Sequence, residues 1–145
     1  MITQFEKLSP REKELLLNAP VLVSIMAASF NNHINKRSAA DAVKLAHLRT
    51  FTAVPVLQPY YKEVDKHFQE NFELAIDRFV HDDVVNMAAV RLEMENVKEV
   101  IEKLDADFAG TLRLSLAKYA KHVKRAEHAV LESFLIPFEI HGLTD

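Results

Sequence analysis

Seven histidines are the chain's most conspicuous source of chemistry, and imidazole serves as a proton carrier or as a metal ligand. A helical metal site usually sets its donors three or four residues apart, so that two of them share one face. The histidine gaps here are 14, 20, 14, 41, 6 and 13 residues, and no Glu-x-x-His occurs, which disfavours a di-iron bundle. His67-Phe68 begins like a hemerythrin motif, but Asn71 stands where a carboxylate would follow. Three carboxylate–histidine pairs do have helical spacing: Glu63 with His67, Asp77 with His81, and His128 with Glu132. Each could orient an imidazole, although at such spacing the commoner meaning is a surface pair worth about 0.2–0.5 kcal/mol. The chain has no cysteine, so thiolate metal sites, disulfides and thiol catalysis are excluded. No glycine-rich phosphate loop, Gly-x-Ser-x-Gly elbow or His-Glu-x-x-His motif is present, and enzyme activity is not expected.

The elements that would position these groups read as helices. Only two glycines occur in 145 residues, too few for the tight turns of a strand-rich fold. Ser9-Pro10 caps and opens a first helix running to about Asn18. Pro20 restarts a nearly all-apolar helix that Asn31-Asn32 ends, and Asn35 or Ser38 caps a third, from Ala39 to about Thr52. After the link bracketed by Pro55 and Pro59, Tyr61, Val64, Phe68, Phe72, Ile76 and Phe79 predict one long amphipathic helix. Asp82-Asp83 breaks it. Met87, Val90, Met94, Val97, Ile101 and Leu104 then alternate three and four apart. That seam suits packing at a small crossing angle, within the domain or as a dimer interface. Asp105 to Asp107 caps a helix to about Lys121, and Ala126 to Ile140 forms the last. The expectation is an all-α, irregular bundle of about seven helices, a single domain over residues 1–145.

Within it, two segments 89 residues apart look alike. Each is an apolar helix ending in an aromatic (Phe30, Tyr119), then a histidine (His33, His122), a β-branched residue (Ile34, Val123), a basic stretch and a new helix. This weak duplication resembles the TerB-like family, named for tellurite-resistance proteins. That family's turn reads Ala-Asp-Gly-x-Ile, with a glutamate some four residues later. Here the turns read Asn31-Asn32-His33-Ile34 with Ser38, and Ala120-Lys121-His122-Val123 with Glu127. Only Glu127, Ile34 and Val123 keep the motif's chemistry. The aspartates that the resemblance would make metal ligands are absent from both turns. The resemblance implies an all-helical fold and a stress-related setting.

Two functions follow as expectations. One is a non-catalytic module that binds a protein partner or a second copy of itself, with the Met87–Leu104 seam as its candidate surface and no cofactor. The other is a divalent-metal protein using His33, His122, Glu127 and His128 where the two turns converge. Lys118, Lys121, Lys124 and Arg125, with Lys36 and Arg37, could form an anion-binding face, though a charge run is more often a solvated one. The net charge of −3 offers nucleic acid no global attraction. The longest mainly apolar run, Ala19 to Phe30, is too short to enter and span a bilayer. The N-terminus lacks the pattern of a signal peptide, so a cytoplasmic location is expected.

Overall fold

The computed structural model describes the backbone of residues 3–50 and 54–135, and the side chains within 5–47 and 54–127. After a short 3-10 turn (Thr3–Lys7) come α1 (Pro10–Leu17), α2 (Ala19–Ala28) and α3 (Lys36–Thr50). A second 3-10 turn (Pro55–Leu57) leads into α4 (Gln58–Lys66) and α5 (Phe68–Phe79). A two-residue hairpin, β1 (Val80–His81) and β2 (Val84–Val85), precedes α6 (Met87–Ile101) and the long α7 (Ala106–Leu135). This is an all-α bundle, and buried side chains from every one of these helices join in one cluster. No helix among the described residues is long and apolar enough to cross a membrane.

The start signals behave as their chemistry demands. Ser9 accepts from the Glu12 amide at 3.1 Å while Glu12 accepts from the Ser9 amide at 2.9 Å, a complete capping box with Pro10 at the first helical position. Asn35 caps α3 through the Ser38 amide at 3.0 Å, and Asn86 caps α6 through the Ala89 amide at 3.2 Å. Inside, Glu93 is buried and accepts from Arg78 at 3.0 Å, with Arg11 3.7 Å away, so that one carboxylate ties α1, α5 and α6.

Three expectations are corrected. The helix predicted from Tyr60 to Phe79 divides at His67, whose backbone (φ −129°, ψ 16°) leaves the helical region. The apolar spacing of three and four continues across the break, which is why periodicity alone runs through it. The chain also forms short strands where none was expected, because Asp82 and Asp83 both adopt positive φ (50° and 63°) and close a hairpin. Finally, no break occurs near His122. The stretch Ala120 to Ala126 holds only Ala, Lys, His, Val and Arg, with no glycine, proline or capping residue. Ala109, Leu112, Leu116, Tyr119 and Val123 form one uninterrupted buried stripe, so a single helix buries more than two would. The expected helix beyond Leu135, to Ile140, lies outside the described residues, as does Thr52.

The loss of that turn relocates the duplication. Asn31 and Asn32 carry the same φ pair, 50° and 63°, as Asp82 and Asp83, 51 residues later. The same offset carries α3 onto α6, residue for residue, and Asn35 onto Asn86, its counterpart as a cap. The two turns bind each other reciprocally: the Ile34 amide donates to the Asp83 carbonyl at 2.9 Å, and the Val85 amide donates to the Asn32 carbonyl at 2.7 Å. The repeat is therefore α2–turn–α3 with α5–turn–α6, joined turn to turn by this reciprocal pair of bonds.

Both turns have the two-residue geometry in which glycine is favoured at the second central position. Asp83→Gly is expected to raise stability by about 1 kcal/mol, the strain relieved less glycine's entropy cost, about 2–4 °C in Tm for a domain of this size. Asp83→Ala should lower it, and thermal melts of the two variants beside wild type check the sign.

Candidate functional site

Building outward from α7, one side of this helix is sealed and the other is open. On the sealed side three buried polar contacts repeat at roughly helical intervals. Ser115 meets the Tyr61 hydroxyl at 2.5 Å, Tyr119 meets the Ser24 hydroxyl at 2.8 Å, and Glu127 accepts from Ser38 at 2.7 Å. They fasten α7 to α4, α2 and α3 in turn. Burial pushes the Tyr119 phenol well up and that of Tyr61 up to about 12, partly offset by the serine hydroxyl each one meets. Both phenols stay neutral donors and acceptors.

The open side faces a groove of about 600 Å³ between α2, α6 and α7, within the size range of ligand sites. Val23, Met26 and Ala27 of α2, which packs on both α6 and α7, line its α2 side. Met94 and Ile101 of α6 and Leu116, Ala117 and Ala120 of α7 form apolar walls. Val23, Ile101 and Leu116 are buried beneath it, and Met26, Met94 and Ala120 are half-buried. Charge is unevenly distributed around the rim. The α6 bank carries Lys98, already paired with Glu95 at 3.1 Å, and Glu102. The α7 bank carries Arg113, Lys121 and Lys124. Among the described residues no carboxylate lies within 4.0 Å of these three cations.

The sequence-derived candidates fall as follows. In the seam, Val90, Val97, Ile101 and Leu104 are buried in the core and Met87 packs against it, while Met94 and Ile101 reach the groove. His33 is exposed on the first hairpin turn, where its backbone pairs with Phe30 and Val84. His122 is half-buried along α7. Glu127 is buried with its carboxylate on Ser38, and the His128 and Glu132 side chains lie outside the described residues. Among the described residues no three His, Asp or Glu side chains gather as a metal site would. Of the basic stretch, Lys121 and Lys124 line the groove. The remaining helical pairs are not made: Glu63 binds Lys66 at 2.8 Å, His67 meets Glu70 at 3.9 Å, and His81 meets Asp82 at 3.6 Å.

Sequence spacing missed one histidine–carboxylate pair because two helices assemble it. His47 of α3 holds Asp65 of α4 through Nε2 at 2.8 Å, and its ring meets Phe68 edge-on at 5.5 Å. Together with Val43 and Phe72 they line a second cavity of about 340 Å³. Burial holds the His47 imidazole below its ordinary 6.5, and the Asp65 carboxylate opposes that shift without cancelling it. The folded protein therefore binds fewer protons at this site than the unfolded chain. Stability linked to His47 is present above pH 6.5 and is lost as pH falls through the depressed value. Denaturant titrations at about pH 7.5 and about pH 5.5 should show a smaller acid loss for His47→Gln than for wild type.

No family model, curated protein or solved structure matches this chain.

Proposed function

We propose that the chain is a non-catalytic helical module that binds a protein partner through the groove between α2, α6 and α7. The observation that carries this reading is an apolar trough with three cations on one bank. Extended apolar recesses rimmed by polar groups mark interaction sites on soluble domains. The seam of α6 contributes through Met94 and Ile101, while its other members hold the helix in place. The TerB-like resemblance adds a stress-response setting. Asp82-Asp83-Val84-Val85 carries that resemblance better than Ala120 to Val123, with Ala89 where the family has its glutamate.

A photo-crosslinking amino acid at Ala117, exposed on the groove wall, tests the reading in cells. A discrete protein adduct is expected from Ala117 and not from Leu74, an exposed position on α5. Ala120→Trp, which fills the trough, should suppress the adduct. An adduct of twice the 16.5 kDa chain mass would make the partner a second copy. Equal labelling from both positions, or none, would remove the groove as the binding site.

A further inference from the structure

We infer that the partner presents an acidic amphipathic helix of about three turns, its carboxylates turned toward α7. This rests on the groove being a protein-binding site and adds the chemistry of what enters it.

Length comes first. Arg113 and Lys124 are 11 residues apart on one helix, so the cationic bank extends about 16 Å, three helical turns. The wall between them is low. Ala117 and Ala120 on α7, with Ala27 on α2, leave space for another backbone to approach, since interaxial distance is set by side chains at the contact. Met26 and Met94 are unbranched and polarisable, and they adjust to apolar residues recurring at three- and four-residue intervals.

Charge decides the sign and the orientation. The chain's net charge is −3, yet the α7 bank presents three cations, and among the described residues no carboxylate pairs with them. The α6 bank offers only the already paired Lys98 and the acidic Glu102. An anionic flank therefore gains on α7 and is repelled near Glu102, which orients the incoming helix about its axis. The groove is open along one side, so a small amphiphile would keep much of its surface in water, whereas a helix needs to bury only one face.

The test uses the full chain and two fluorescent synthetic peptides of about four helical turns, with identical leucine stripes and flanks of either glutamate or lysine. Fluorescence anisotropy should show the glutamate peptide binding wild type roughly tenfold more tightly than the lysine peptide, with the difference shrinking in high salt. The triple variant Arg113→Glu, Lys121→Glu, Lys124→Glu should invert that preference, a result that a merely misfolded protein does not give. Equal binding of both peptides to wild type would overturn the acidic assignment and leave the groove a protein site. Binding of sodium laurate alone would overturn both readings in favour of a single-chain amphiphile. If neither peptide binds while Ala117 still crosslinks a protein, the helix falls and the protein site stands.

Discussion

Two backbone hydrogen bonds, Ile34 to Asp83 and Val85 to Asn32, hold the architecture in register. Each joins a carbonyl at the tip of one two-residue turn to the amide of the β-branched residue that follows the other. The two donors, Ile34 and Val85, are buried residues, and leaving a buried amide unpaired costs about 1–3 kcal/mol apiece. Pairing the corners back to back satisfies them and at the same time sets the two helix pairs at a defined relation. The positive φ values at Asn31, Asn32, Asp82 and Asp83 are the strain that this arrangement carries.

On that frame α7 acts as a plank with two unlike sides. Its inward face is mainly apolar but also carries the polar atoms of Ser115, Tyr119 and Glu127, each meeting a hydroxyl on a different helix. Apolar burial supplies most of the attraction and tolerates sliding. Directional contacts at three places do not, so they fix where along its axis α7 rests. The position of Arg113, Lys121 and Lys124 opposite α6 follows from that setting, and so does the width of the trough between them.

Much of the fold was legible because caps and periodicity are local. Ser9-Pro10 with Glu12, Asn35 before α3 and the three-and-four rhythm of α6 each depend on residues within a turn or two of one another. What failed was symmetry. Histidines at matching places in two look-alike stretches drew attention to the wrong partner for the first turn, although Asn-Asn-x-Ile-Asn and Asp-Asp-x-Val-Asn lay 51 residues apart in plain view. The signal was the pair of Asx residues able to hold positive φ, with a β-branched residue and a capping asparagine behind them. The groove was legible only as fragments, a methionine in a seam and a few lysines in a charge run, since nothing local says that α6 and α7 stand apart there. The His47–Asp65 contact was hidden for the same reason: its members are 18 residues apart and on separate helices.

The place of α7 in the chain has a consequence for how the protein is made. Ser24 and Tyr119, which touch in the finished molecule, are 95 residues apart, while the paired turns and neighbouring helices close over much shorter spans. Short-range closure is entropically cheaper and faster. During synthesis the α2–α3 and α5–α6 units can therefore gather while α7 is still being translated, with the faces of α2 and α3 that α7 packs on left bare until it arrives. For that interval the nascent chain offers a greasy surface to the ribosome's surroundings, and chaperone demand should peak as the last third emerges.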